Sequence, residues 1–421
     1  MGGVAILLAA CSAGGGEPLG EPIPASGEPY ASVLGVVWAP GYAPGEAPRG
    51  REVPVSRALV RLLAHRPTPP PEGVHCRRCL PTSGEYAALT DEVGAFEISD
   101  VAPGRYWAVV EAGPFRVDTE IEVSAGQLIV LEPDATTLPT RRDPARGLWA
   151  PRVATLTGHD GTAWLDARLG LEHVEAFDEA QLDAPARLAR FDVLLAPSTE
   201  SDAFARDPAV LAALRDWVAA GGVLIATGRA HRVVDALYPS AVVMTSAHDV
   251  ESDVYDAARG TWDVSRIPAS TDRREDWIQG VVATPRGRVT HRPLAAWLDE
   301  QIGPSHRLTS DGPDMMGLHP GFGPIWRYEP SDLSIERPIG RVVALGAAPS
   351  TDPTADPSYP RVLLEEEAGH PAVVALAPEG CGRALLSTPE LDLVSHEELL
   401  PMERIALYFV LDTPVCVAAP D

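Results

Sequence analysis

His75-Cys76-Arg77-Arg78-Cys79 is the densest cluster of reactive side chains in the sequence. Two thiols three residues apart can act as a redox dithiol, supply half of a zinc site or close a disulfide. A zinc site needs a second pair, and Cys381 and Cys416 are not spaced as one. A catalytic dithiol belongs on a helix that follows a strand, whereas this pair sits in a Pro-rich loop. In an oxidising compartment the default is structural, so a local Cys76–Cys79 disulfide is expected, with Cys381 an unpaired turn cysteine. Asp249-Val250-Glu251-Ser252-Asp253-Val254-Tyr255-Asp256 spaces carboxylates as some calcium loops do, but it lacks the central Gly and the terminal bidentate Glu. It reads as a solvated acidic loop. His248, His291, His306 and His319 have no ligand spacing, and neither a metal nor a cofactor is expected.

These residues sit in a chain of 421 residues with a net charge of −25, long enough for two or three domains. All 34 basic residues are Arg, which fits a GC-rich coding bias together with the many Ala, Pro and Gly. An acidic chain with no basic run repels phosphate backbones, so nucleic acid is excluded as an expected partner. Val4 to Ala10 (VAILLAA) is too short to span a bilayer but suits the apolar region of a signal peptide. Ser12 to Tyr30 is Gly, Pro, Ser and Glu and reads as a flexible tether.

Two patterns follow. From about residue 31 to 133, strand-like runs recur at roughly ten-residue spacing: Ser32–Trp38, Ala58–Ala64, Gly94–Ser99, Arg105–Glu111 and Asp118–Val123. Turn signals separate them, which predicts an all-β sandwich. Residues 134–150 have no periodicity and read as a linker. From Pro151 strands alternate with helices: Arg152–Thr157, Glu172–Phe177, Asp192–Ala196, the amphipathic Pro208–Ala220, Val223–Thr227, and later Arg341–Gly346, Ala372–Ala377, Gly382–Thr388 and a last helix at Glu398–Leu411. That alternation predicts a doubly wound α/β parallel sheet over 151–412, ahead of a tail at 413–421. Residues 247–338 have weak periodicity and are too long for a loop, so an inserted subdomain or lid is expected there.

Three resemblances sharpen this. Leu8-Ala9-Ala10-Cys11 resembles a bacterial lipobox, although Met1-Gly2-Gly3 carries no Lys or Arg. It implies a signal peptide over residues 1–10, acylation of Cys11, and a membrane-anchored cell-envelope protein, in the outer membrane and facing the periplasm or the surface. Thr90-Asp91-Glu92-Val93-Gly94-Ala95-Phe96 with Val101-Ala102-Pro103-Gly104-Arg105-Tyr106 resembles the core of carboxypeptidase-regulatory-like domains, which are transthyretin-like (prealbumin-like) sandwiches and usually non-catalytic. Asp192 to Ser198, Leu214 to Thr227 and Cys381 to Glu390 together resemble the class I glutamine amidotransferase-like superfamily, a flavodoxin-like α/β fold that includes trehalose-utilisation-like and biotin-ligase N-terminal-like branches.

Carried over by position, the family's nucleophilic Cys falls at Thr227-Gly228-Arg229, and its catalytic His falls at Thr388, before Pro389-Glu390. Replacing both nucleophile and base removes the shared mechanism, so a pseudoenzyme with no catalytic residue is expected. His159-Asp160 follows the first strand at the carboxyl edge, where such sheets bind ligands. With Thr227, Gly228, Arg229, His231, Thr388 and Glu390 it outlines a candidate ligand pocket. In the competing reading His159 and Asp160 cap the next helix and His231 lies on a solvated face. The functional expectation is binding of an envelope protein or a small-molecule ligand. One alternative is an extracytoplasmic hydrolase using His306, Asp311 or His319 of the insertion. Another is carbohydrate binding on Trp38, Tyr42 and Trp107.

Overall fold

The computed structural model describes residues 29–46, 52–76, 80–81, 86–156, 169–178, 181–196, 207–227, 230–238, 241–245, 287–301, 360–366, 371–377, 381–387 and 401–412, with short pieces elsewhere between 255 and 416. The fold is rich in β-sheet. The first half contributes β1 (Ala31–Val36), β2 (Leu59–Leu63), β3 (Tyr86–Leu89), β4 (Ala95–Val101), β5 (Gly104–Ala112), β6 (Phe115–Val123), β7 (Leu128–Val130) and β8 (Leu148–Trp149). They form a three-stranded sheet in the order β4-β1-β7 and a five-stranded sheet in the order β3-β2-β5-β6-β8. Val33, Phe96 and Ile98 of one sheet share a buried core with Val60, Tyr106, Ala108 and Val110 of the other, as a sandwich requires.

The Thr90-to-Gly94 motif has a local physical basis. The Thr90 hydroxyl donates to the Val55 carbonyl at 2.6 Å and accepts from the Ala58 amide at 2.8 Å. Asp91 Oδ1 accepts from the Val93 and Ala95 amides, which closes the turn. Gly94 sits at φ 73°, and a Cβ there would press on Pro54 and the Val37 carbonyl. Tyr106 donates its hydroxyl to the Ala102 carbonyl at 2.9 Å, and burial pushes its pKa up to about 12, with Tyr86 adding to the shift.

Residues 134–150 differ from the expected linker, because they are packed. A short helix, α1 (Pro133–Thr136), lies against β1, and β8 pairs antiparallel with β6. Leu138 and Trp149 are buried. Arg116 explains the packing of Trp149: its guanidinium stacks 4.8 Å from that ring, makes a two-pronged ion pair with Asp118 and donates to the Thr68 carbonyl. Burial still pushes the Asp118 carboxyl up, against the pull of Arg116.

The second half is built on an eight-stranded sheet. Its strands are β9 (Val153–Leu156), β10 (Val174–Phe177), β11 (Val193–Ala196), β12 (Val223–Thr227), β13 (Gly287–Val289), β14 (Arg361–Glu366), β15 (Pro371–Leu376) and β16 (Arg383–Ser387). The spatial order is β10-β9-β11-β12-β16-β15-β14-β13. The first five of that order are parallel, and the last three are joined antiparallel. Alternation divides each strand between two apolar layers. Leu194, Leu224, Ala226 and Leu386 face a layer shared with α2 (Pro185–Leu188), α3 (Pro208–Ala219) and α4 (His231–Leu237). Val193, Leu195, Val223, Ile225 and Leu385 face a layer shared with α5 (Arg292–Gln301) and α6 (Pro401–Leu411).

The α3 helix follows its sequence signals: Asp207 caps it by accepting from the Ala209 amide at 2.8 Å, and Pro208 opens its first turn. Two expectations shift. Arg341–Leu345 pairs antiparallel with Val242–Thr245, apart from the main sheet. The end of the expected insertion, β13 and α5, is part of the main body.

The sandwich and the larger sheet share one apolar core. It runs from the sandwich interior through α6 to one face of the eight-stranded sheet. Ile405 to Leu411 are all buried, so the last two turns of α6 are apolar on every side because they are covered on every side. Gly113, at the β5–β6 turn with φ 51°, lies so close to the Val410 carbonyl that no Cβ fits. Trp297 of α5 donates its indole N–H to the Pro54 carbonyl of the sandwich at 2.7 Å. Asp412, just past α6, lies within 4 Å of Arg57 of the sandwich and of Arg361 and Arg383 of the sheet.

Candidate functional site

The long loop after β2 of the sandwich lies at the amino edge of the parallel strands, beside Ala189, Gly221 and Cys381, which precede β11, β12 and β16. The Val74 amide donates to the Ala189 carbonyl at 2.9 Å, and a Cβ at Gly221 would collide with the His75 carbonyl. Cys76 is disulfide-bonded to Cys381, 305 residues away, with Cα atoms 5.1 Å apart. This corrects the expected Cys76–Cys79 pairing and the expectation of an unpaired Cys381. The correction has a packing cause. Gly382 sits against the Val218 and Gly222 carbonyls with no room for a Cβ, and the Cys381 amide donates to the Ala219 carbonyl, which brings this turn to the docked loop. Cys79 lies outside the described residues.

With the amino edge covered, the carboxyl edge is the candidate site. Its buried described polar residues are Thr155, Thr227 and Ser387, each no more than 1 % exposed, and Asp178, just past β10, is exposed. Thr227 and Ser387 end neighbouring parallel strands in register. By alternation with Val223 and Ile225, Thr227 faces the layer that holds α6. Among the described residues, the hydroxyls of Thr155 and Thr227 have no hydrogen-bond partner. A buried hydroxyl without a base beside it is a poor nucleophile, so the described part of this edge offers no activated one. Of the other expected site residues, Cys11, His159, Asp160, Gly228, Arg229, Thr388 and Glu390 lie outside the described residues, and His231 is the first residue of α4. His306 and Asp311 also lie outside them.

Other candidate features resolve into packing. A cavity of about 10 Å³ at the seam is lined by apolar side chains including Phe115, Val153, Leu195, Leu407 and Val410. It has the volume of a single water and offers no polar partner to hold one. Tyr42 is a core residue, and the Arg66 guanidinium lies 5.2 Å over Trp107, so these rings do not form an open stacking platform. Among the described residues no three His, Cys, Asp or Glu side chains group as metal ligands, and no helix is long and apolar enough to cross a membrane. Sequence reasoning missed the Asp412–arginine cluster, whose members come from four separate stretches of chain. It also missed Trp297, whose helical spacing with Leu294 and Leu298 was visible.

No protein-family profile matches the chain, and no curated protein does. Among solved structures, the major pilin subunit of Bacillus cereus aligns at 10 % identity and a TM-score of 0.16, over 25 % of this chain and 29 % of the pilin. A GH42 β-galactosidase aligns at 12 % identity and a TM-score of 0.27, over 59 % of this chain and 29 % of the enzyme. The cold-adapted β-galactosidase from Rahnella sp. R3 aligns at 15 % identity and a TM-score of 0.30, over 65 % of this chain and 34 % of the enzyme. The chain thus spans about a third of the length of these proteins, and likenesses this distant assign no family.

Proposed function

We propose that the chain is a non-catalytic, lipid-anchored protein of the cell envelope, in which a carboxypeptidase-regulatory-like sandwich supports a degenerate amidotransferase-like domain that binds a protein or small-molecule ligand. The observation that carries the non-catalytic reading is the buried Thr227 hydroxyl, which has no hydrogen-bond partner among the described residues at the position where the family places its nucleophile. The amidotransferase-like fold is supported by the five parallel strands, whose spatial order β10-β9-β11-β12-β16 is the 2-1-3-4-5 order of flavodoxin-like sheets. Export is supported by the Cys76–Cys381 disulfide, since such bonds persist in oxidising compartments. The anchor rests on Leu8 to Cys11 of the sequence. The test is fractionation. Wild type should partition with membranes and carry an acylated Cys11, and Cys11→Ser should be released as soluble protein. A wild type that is soluble and unacylated overturns the anchor. Hydrolysis of amides, esters or glycosides by the purified chain overturns the non-catalytic reading.

A further inference from the structure

We infer that the free edge of β7 is a docking site for an extended, basic segment of a partner protein, which adds a fourth strand to the small sheet of the sandwich. The inference needs neither the anchor nor the non-catalytic reading. The small sheet has the order β4-β1-β7, so β7 is an edge strand. It runs parallel to β1, with Ser32 opposite Leu128 and Leu34 opposite Val130. The Ser32 amide donates to the Gln127 carbonyl at 3.0 Å, and the Leu131 amide donates to the Leu34 carbonyl at 2.8 Å. By alternation Ile129 also turns its backbone groups toward β1. The amides and carbonyls of Leu128 and Val130 therefore point away from the sheet, where no described strand pairs with them.

The two edges of this sheet differ. β4 carries Glu97 and Asp100 and is irregular: Asp100 has φ 58°, and the register with β1 shifts between Ala31 and Val33. Carboxylates and bulges keep an edge from pairing with another chain. β7 has neither. It reads Leu128-Ile129-Val130, residue types that fit an extended, half-buried strand. Leu128 is 65 % exposed and Val130 57 %, more than any other large apolar side chain among the described residues. They lie beside the half-buried Leu34 of β1. Such an edge supplies both components of strand addition. Its open backbone groups give affinity, and its alternate apolar side chains give specificity.

Charge selects the occupant. Residues 29–36, 95–101 and 124–135, which build this sheet and its flanks, contain Glu97, Asp100, Glu132 and Asp134 and no arginine. All four carboxylate residues are exposed. Glu97 lies opposite Leu34, and Glu132 follows Val130 by two residues in extended backbone. A second copy of the chain would bring the same carboxylates and its own net charge of −25, and an anionic membrane would meet the same repulsion. A segment with apolar residues at alternate positions and Arg or Lys at its ends complements both the edge and its flanks.

The probe is a synthetic peptide with paired arginines on either side of an alternating valine–threonine core. It is fluorescently labelled and titrated with the full-length protein while anisotropy is followed. Saturable binding is expected. Methylating the core amides that face β7 removes ladder bonds but keeps every charge, and should weaken binding about tenfold or more. Val130→Arg should do the same with an unchanged Tm, because the side chain it replaces is exposed. Equal binding of the methylated peptide, or binding unchanged by Val130→Arg, overturns the inference, because it reduces the contact to diffuse attraction between a basic peptide and an acidic chain. Absence of saturable binding also overturns it. A rival occupant in place of the peptide overturns it as well. Self-association in sedimentation that Val130→Arg abolishes would mark a second copy. Attachment of the unacylated Cys11→Ser chain to phosphatidylethanolamine–phosphatidylglycerol vesicles, abolished by Val130→Arg, would mark a membrane.

Discussion

Trp297 is where the joining of the two halves is most exposed to experiment. The residue lies in the stretch that the sequence assigns to a separate insertion. Its side chain is nevertheless 1 % exposed, its ring lies 5.5 Å from that of Tyr408 on α6, and its indole donates to Pro54 of the sandwich at 2.7 Å. Trp297→Phe keeps most of the ring but removes the bond to the half-buried Pro54 carbonyl, and the loss of such a hydrogen bond costs about 0.5–1.5 kcal/mol. Trp297→Ala adds the lost packing, for a total of about 3–5 kcal/mol. Urea unfolding followed by far-UV circular dichroism should show those losses in one cooperative transition. The sandwich should also report them: Pro54 sits beside the Val55 amide, which donates to Val37 at 2.8 Å, so hydrogen exchange in peptides covering residues 52–63 should accelerate. A loss under about 1 kcal/mol for Trp297→Ala, far below that range, or unchanged exchange in those peptides, would refute the reasoning and return α5 to an independent lid.

Gly113→Ala forces a Cβ into the Val410 carbonyl from a left-handed backbone, so beyond about 1–2 kcal/mol of strain the β5–β6 turn must also lift from α6. A lowered Tm beside the wild type checks this, and an unchanged Tm counts against the contact. Tyr106 predicts a pH dependence. Its pKa is raised from 10.0 to about 12, so the folded state holds the phenolic proton more tightly than the unfolded state does. Stability should therefore fall as pH rises through that window, and Tyr106→Phe, which has no proton to lose, should flatten the fall in denaturant titrations between pH 9.5 and 11.5 or so.

What the sequence made legible was local. Thr90, Asp91, Gly94 and Tyr106 act through neighbours in a turn or across one hairpin, and the resemblance they carry, beside the roughly ten-residue spacing of the strand-like runs, implied the sandwich. Pro208 and Gly221 bounded α3 for the same reason. What stayed hidden depended on distance. Cysteine connectivity cannot be read from spacing, and Cys76 finds its partner 305 residues on because two glycines let the backbones meet. Arg341–Leu345 has the apolar run of a core strand, yet its partner is a short strand away from the main sheet. At the candidate site, residue identity placed Thr227 at the end of β12, but only the fold reveals that its hydroxyl is buried and, among the described residues, unpartnered.

That hydroxyl also offers the most direct test of the account. Thr227→Val replaces an unsatisfied buried polar atom with a methyl group of the same shape, which should leave stability unchanged or raise it by about 1 kcal/mol. The decisive measurement is intact-mass analysis of wild type and Thr227→Val after incubation with an electrophilic probe for activated serine and threonine hydroxyls. The account predicts no covalent adduct on either protein. An adduct on the wild type that maps to Thr227 and disappears in Thr227→Val would contradict it, because it would show that the carboxyl edge still holds a working nucleophile.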